Sequence, residues 1–273
     1  MGAGSIGTRR ARILAEMGHE VSVTDLDHDK ALVAASQHEN IRAVSGGQGR
    51  GLAVDLVMIC TPPDSGRAGQ VHDALKWLPR AIFIEKPIAL DEDTVYRVMD
   101  ALAGEDVFTH GACNLRYCPE VATIRDMDIR FLTLRMGQHS SYWSKNHKPC
   151  TLALDSIHEL DLACYIMGKA DQVHGISTND YARLNVAHVG DPLSIPVSSS
   201  STLVLDRVTS PPVRWVEYIT EAGVLGRVNL TTGDEMYRRE MEHMIVRIEG
   251  RGAPLNSVLD AGRLCIEALW SAA

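Results

Sequence analysis

The sequence predicts an α/β fold in two parts: a doubly wound parallel sheet over residues 1–112, then an α+β domain on a mostly antiparallel sheet over residues 113–273. Three observations carry this. Short apolar strands alternate with helices in the first part, the pattern of a parallel sheet covered on both faces. After about Cys113 helices become rare and strands lengthen, which marks a domain boundary. The first helix opens on a glycine-rich turn of the kind that joins strand to helix in such sheets.

Taken in order, the periodicity predicts a helix from Ile6 to Met17, a strand from Glu20 to Thr24 and a helical stretch from Asp29 to Glu39. It then predicts a buried-type strand Asp55 to Cys60, a helix Gly69 to Leu78, a strand Ala81 to Ile84, a helix Asp91 to Ala103 and a short strand near Val107. The second part reads as strands Ile129 to Gln138, Gln172 to Thr178, Ala182 to Val189, Pro196 to Val208 and Val213 to Thr220. A helix from Ser156 to Met167 interrupts them, and helices from Glu235 to Glu249 and Ser257 to Ser271 close the chain, so helices are expected on one sheet face only.

Composition narrows the function classes. With 45% hydrophobic and 23% charged residues the chain is neither disordered nor fibrous. A net charge of -8 argues against nucleic acid as a partner. The six cysteines form no C-x-x-C pair, so reduced thiols in a cytoplasmic protein are expected rather than a zinc site or a disulfide framework. No apolar run approaches the roughly 20 residues of a membrane helix, and no export signal is visible at the amino terminus, so no membrane association is expected. Met1-Gly2 suggests myristoylation, but that pattern needs Ser or Thr where Ile6 stands.

Gly2-Ala3-Gly4-Ser5-Ile6-Gly7 fits G-x-G-x-x-G and runs directly into the first helix, the phosphate-binding turn of a Rossmann-type domain. The first glycine permits the turn, the second lets backbone approach a pyrophosphate, and the third lets helix and strand pack closely. The pyrophosphate would rest on the helix N-terminus, where free N–H groups and the dipole favour negative charge. Asp25 ends the next strand, about 20 residues on, where a carboxylate accepts from ribose hydroxyls. Leu26, Asp27 and His28 follow it without the basic residue a 2′-phosphate would call for, so the cofactor expected is NAD rather than NADP. The fingerprint ordinarily follows a strand, yet only Met1 precedes Gly2, so that strand is missing from the pattern. In a doubly wound sheet it is central, and its loss leaves two neighbours unpaired beside an apolar slot. A misassigned start, a truncated fragment and a degenerate gene stay open as readings.

Thr61-Pro62-Pro63-Asp64 follows one strand and Glu85-Lys86-Pro87 the next. Further on stand Asn114-Leu115-Arg116-Tyr117 with Pro119, then Leu154-Asp155-Ser156-Ile157-His158-Glu159-Leu160-Asp161, then Met236-Tyr237-Arg238-Arg239-Glu240. With these motifs the chain resembles, over essentially its whole length, the Gfo/Idh/MocA family of glucose-fructose oxidoreductase, inositol dehydrogenase and rhizopine-catabolism proteins. The resemblance implies an NAD-dependent dehydrogenase acting on a polyol, cyclitol or nucleotide sugar, assembled as a homodimer or homotetramer. It implies that Thr61, the Pro62-Pro63 turn and Glu85 lie along the cofactor, that Lys86 and His158 flank the reacting carbon, and that Asp155 helps hold the substrate. Two departures accompany the missing strand. Asp155 and His158 are three residues apart where many members have four, and the segment from Tyr142 to Leu154 is short and lacks the usual glycine run.

The residues themselves suit that chemistry. Oxidising an alcohol needs a hydride acceptor, a base for the hydroxyl proton and a positive group beside the developing alkoxide. His158 is the expected base, since a free imidazole titrates at about 6.5. Lys86 is the expected electrophile. Asp155 either orients His158 or accepts from a second substrate hydroxyl, and Asp161 stands one turn beyond His158 as its possible support. Asn114, Arg116, Tyr117, His139 and Tyr142 are candidates to line a sugar pocket. No metal site is expected: the zinc-protease spacing would need a histidine at Leu162, and His110, His139, His147, His174 and His243 have no ligand spacing. The competing reading is an NAD-binding regulator without turnover, or a degenerate truncated family member.

Overall fold

The computed structural model describes residues 1–45, 54–64, 66–137, 157–168, 170–177, 181–188, 199–206, 209, 211–250 and 263. The chain divides into two compact units, Met1–Ala112 with Tyr237–Gly262, and Cys113–Met236 with Arg263–Ala273.

The first unit runs α1 (Ser5–Glu16), β1 (Val21–Val23), α2 (His28–Ala35), β2 (Ile41–Ala43), β3 (Leu56–Ile59), α3 (Arg67–Leu75), β4 (Ala81–Ile84), α4 (Glu92–Leu102) and β5 (Phe108–Gly111). All strand pairs are parallel. β4 lies between β3 and β5 and all four of its residues are buried, which is why Ala81-Ile-Phe-Ile84 carries no polar residue. Asp91 caps α4 by accepting from the Thr94 N–H at 2.8 Å. The expected doubly wound sheet is present as two pieces, β1-β2 and β3-β4-β5. Among the described residues, Met1 and Gly2 bond the edges between them: Met1 bonds Met58 and Cys60 beside one, and the Gly2 N–H donates to the Thr24 carbonyl beside the other at 2.9 Å. β2 was not expected, because its three residues are too few to show a period.

The second unit opens with a 3-10 turn (Asn114–Tyr117) and α5 (Val121–Ile124), then β6 (Ile129–Gly137), α6 (Ile157–Met167), β7 (Ala170–Ser177), β8 (Tyr181–His188), β9 (Ser199–Asp206), β10 (Val213–Thr220), β11 (Leu225–Asn229) and α7 (Asp234–Ile248), which belongs to the first unit from Tyr237 on. The six strands form one sheet in the order β11-β10-β6-β9-β8-β7, antiparallel except for the β6–β9 pair. β8 alternates strictly, with Ala182, Leu184, Val186 and His188 buried. Val216, Leu134, Leu203 and Leu184 stand side by side in register across four strands, each at most 1% exposed. Helix α6 packs on β6 and β9. β11 was not expected, since its exposed edge lacks an apolar face. The predicted closing helix, apart from Arg263, and the expected strand ends at Gln138, Thr178, Val189, Pro196 and Val208 lie outside the described residues.

Candidate functional site

In the first unit the glycine turn is closely packed at two of its three glycines. Gly2 holds φ +89°, where a Cβ would strike the Cys60–Thr61 peptide at 2.8 Å. A Cβ on Gly7 would lie 1.9 Å from the Gly2 carbonyl oxygen, so α1 approaches the turn only because this residue has no side chain. Gly4 differs: nothing lies within 4 Å of its Cβ position, which leaves open space beside the turn. Gly4 is also the N-cap of α1, with no side-chain cap and no acidic residue in the first turn, where Ser5 and Ile6 stand. The positive end of a 12-residue helix is therefore left available to an anion. These residues fit a dinucleotide pyrophosphate.

Asp25 reaches the same turn. One carboxylate oxygen accepts from the Ala3 N–H at 2.7 Å and the other from the Asp27 N–H at 2.9 Å. A carboxylate has about four acceptor sites, so both oxygens retain room for further donors.

Thr61 is fixed from two sides. Its hydroxyl donates to Gln70 at 2.5 Å and its carbonyl accepts from Arg67 at 2.9 Å. Pro62 is exposed and Pro63 half-buried beyond it. Neighbouring Cys60 is no nucleophile at neutral pH, because burial and the Glu85 carboxylate push its thiol up to about 11.

Glu85 follows β4, and its N–H extends the ladder to the Ile59 carbonyl. Its side chain accepts from Arg10 Nε at 2.5 Å, while the other oxygen takes the Lys86 N–H at 3.2 Å. Lys86 is half-buried, before a buried cis Pro87. Arg10 also reaches Glu240 on α7 at 2.8 Å, and His110 on β5 meets the other Glu240 oxygen at 3.1 Å. Arg10, His110 and Glu240 are each at most 1% exposed. Phe83 stacks on His110, and the Arg10 guanidinium lies over the Phe83 and Tyr237 rings. Burial works against both charges, yet the pairing outweighs it, so Arg10 is held protonated and Glu240 is lowered to about 2. One buried network thus joins the helix behind the glycine turn to the residue before Lys86.

In the second unit, Asn114, Arg116 and Tyr117 share the 3-10 turn and His158 lies half-buried in the first turn of α6. Arg116 forms a two-pronged pair with Asp161, Nε to Oδ2 at 2.6 Å and Nη2 to Oδ1, and stacks over Tyr165. Burial would lower its pKa, but Asp161 raises it, so the charge is kept. Asp161 is therefore committed to Arg116 rather than to His158. Glu159 faces Arg214 at 2.9 Å. Asn114 is 2% exposed, and its Oδ1 has no hydrogen-bond partner among the described residues. Asp155, His139 and Tyr142 lie outside the described residues.

The sequence reading gave no site role to Arg10, Arg67, His110 or Glu240. The signal for three of them was a charge on an apolar helical stripe: Arg10 among Ile6, Ile13 and Leu14, Arg67 before Val71 and Ala74, Glu240 among Tyr237, Met241 and Met244. Among the described residues no cluster could hold a metal ion, and no helix is long and apolar enough to cross a membrane.

No family model and no curated protein matches the sequence. Solved structures match the fold. A UDP-N-acetylglucosamine 3-dehydrogenase from Acidithiobacillus ferrooxidans aligns with TM-score 0.79 at 18% identity, over 98% of this chain and 93% of its own. A myo-inositol dehydrogenase from Corynebacterium glutamicum aligns with TM-score 0.76 at 18% identity, over 99% and 94%. The WlbA dehydrogenase from Thermus thermophilus, in complex with NAD and UDP-GlcNAcA, aligns with TM-score 0.72 at 18% identity, over 99% and 92%. Over nearly its whole length the chain has the two-domain, Rossmann-type fold of the Gfo/Idh/MocA-type dehydrogenases.

Proposed function

We propose that the chain is an NAD-dependent dehydrogenase moving a hydride to or from a secondary alcohol of a sugar, cyclitol or nucleotide sugar. The observation that carries this is the glycine-lined, uncapped N-terminus of α1 with Asp25 bonded to the same turn. Its likeness in fold to sugar and cyclitol dehydrogenases, one of them holding NAD, supports the same reading. Gly2, Gly4, Ser5, Ile6 and Gly7 would take the pyrophosphate. Asp25 would accept from the ribose hydroxyls and repel a 2′-phosphate, and Thr61, Pro62, Pro63 and Glu85 would border the cofactor. When bound, the nicotinamide supplies the hydride acceptor or donor.

Lys86 donates to the substrate oxygen and stabilises alkoxide, while His158 takes the hydroxyl proton. Asp155, Asn114, Tyr117 and Tyr142 contribute to holding the polyol, and Arg116, tied to Asp161, shapes that turn. The protein works in the cytoplasm as a homodimer or homotetramer.

Calorimetric titration with NADH and NADPH tests the cofactor assignment: NADH should bind more tightly, and Asp25→Ala should reduce the difference. Equal or reversed affinities would remove it. Turnover tests the catalytic roles: His158→Ala should cost about 10² to 10⁴ in rate and Lys86→Met about 10² to 10³, with NADH binding kept. Near-full turnover in either variant refutes that residue's role. The second reading is an NAD-binding regulator; NADH binding without turnover on any polyol or nucleotide sugar would select it.

A further inference from the structure

Arg10 and Arg67 are the two arginines buried almost completely among the described residues, and their partners differ. Arg10 touches two carboxylates, Glu85 and Glu240. Arg67, the first residue of α3, touches neutral oxygens: Nη2 donates to the Thr61 carbonyl at 2.9 Å, and Nη1 reaches the Ile59 carbonyl and the Thr61 hydroxyl, each at 3.4 Å. Among the described residues no carboxylate pairs with it and its Nε has no hydrogen-bond partner. Burial lowers its pKa, and the more distant Cys60, Glu85 and Asp64 do not offset this, whereas the touching carboxylates raise that of Arg10. An apolar residue would suit the position, since Val71 and Ala74 continue the same buried stripe. Burying a cation without an anion is costly, so the charge calls for a partner. Thr61 sets the place of that partner. Arg67 holds its carbonyl, while its nitrogen abuts the glycine turn, where a Cβ on Gly2 would lie 2.8 Å away. Arg67 thus stands one residue behind the turn whose helix N-terminus is uncapped and open beside Gly4. In an interior of low dielectric constant a charge acts well beyond contact distance.

We propose that Arg67 supplies buried positive charge to the cofactor site, and that the diphosphate of a dinucleotide seated on α1 is the anion that balances it. The inference rests on the dinucleotide reading of the glycine turn and extends it from the turn's own amides to a side chain on α3. The bonds to Thr61 and Ile59 fit this role. Neutral oxygens hold the guanidinium in place without cancelling its charge, as a touching carboxylate would. Arg10, paired with two carboxylates, has no such charge to lend. The ligand class follows from the same chemistry: a neutral nucleoside gains nothing from the cation, and its diphosphate does.

The test is calorimetric titration of the 273-residue chain and its variants with ADP and with adenosine, which share base and ribose and differ in the diphosphate. Arg67→Gln keeps an N–H donor for the Thr61 carbonyl and removes the charge, whereas Arg67→Lys keeps the charge and loses the planar fork. Should Arg67→Gln not fold, Arg67→Met, which suits the stripe of Val71 and Ala74, takes its place with the same expectation. The neutral variant should bind ADP about tenfold or more weakly and adenosine within about twofold of the parent. Arg67→Lys should keep ADP within about threefold. Unchanged ADP affinity in the neutral variant overturns the proposal and leaves the dinucleotide reading intact. An equal loss of ADP and adenosine also overturns it, because Arg67 would then only shape the Thr61 turn. A parent chain that binds neither ADP nor NADH removes the dinucleotide reading itself, and the proposal with it.

Discussion

The two units keep their sheets together by different means. In the second, β10, β6, β9 and β8 each have neighbours on both edges, and a row of buried aliphatic side chains crosses four strands in register. Among the five described strands of the first, only β4 has two strand neighbours. There, a buried charge network spanning α1, the end of β4, β5 and α7 does part of the work that ladder pairing and apolar rows do in the second unit. This polar tie holds α1, the end of β4, β5 and α7 to one another through buried charges.

The largest expected effect lies in that tie. Arg10→Met leaves Glu85 and Glu240 buried without their cation, and removing one partner of a buried pair costs about 3–5 kcal/mol. Denaturant unfolding should show this loss. The double variant Arg10→Met with Glu240→Leu should recover part of it, since an apolar replacement of the pair removes the stranded charge. A double variant less stable than Arg10→Met alone would mean that Glu240 stabilises the unit through His110 instead.

The matching perturbation of the second unit is Leu203→Ala. Leu203 is fully buried between Leu134 and Leu184, and such truncations cost about 2–5 kcal/mol. A loss under about 1 kcal/mol, the range of volume-conserving swaps, would show that the row repacks and would dissolve the contrast between the units.

Acid should separate them next. Glu240 sits at about 2 in the folded chain, below the roughly 4.3 of a free glutamate. A depressed carboxylate adds stability that is complete above the unfolded value and is lost as pH falls through the folded one. The melting temperature should therefore fall between about pH 4.5 and pH 2, and Glu240→Gln should flatten that slope. An unchanged slope in the variant would place the acid sensitivity elsewhere.

What was legible in the sequence follows from the same physics. Alternation along Tyr181–His188 and the apolar run Ala81–Ile84 are local patterns, so β8 and β4 could be read directly. β2 is too short for a period, and β11, an exposed edge, has no face to bury. The glycine turn and Asp25 were readable because their spacing is fixed along the chain. The Arg10–Glu240 pair spans 230 positions, and its only local trace was a charge on an apolar stripe. Arg116 was singled out as a pocket residue and Asp161 as a support for His158; their mutual pairing across 45 positions had no local signature.

The smallest effect compares the two pieces of the first unit through their helix caps. Asp91 caps α4, which packs against α3 on the three-stranded side, by accepting from the Thr94 N–H at 2.8 Å and the Thr94 hydroxyl at 2.9 Å. Asp27 caps α2 on the two-stranded side through one exposed 3.2 Å bond to the Asp29 N–H. Losing an aspartate cap costs about 0.5–2 kcal/mol. Asp91→Ala removes two part-buried bonds to a fully buried Thr94 and belongs near the top of that range, whereas Asp27→Ala removes one exposed bond and belongs near the bottom. Asparagine caps nearly as well as aspartate, so Asp91→Asn should restore most of the loss. Paired denaturant curves measure all three. Equal costs at the two caps would mean that the single exposed bond at Asp27 contributes as much as the two bonds at Asp91.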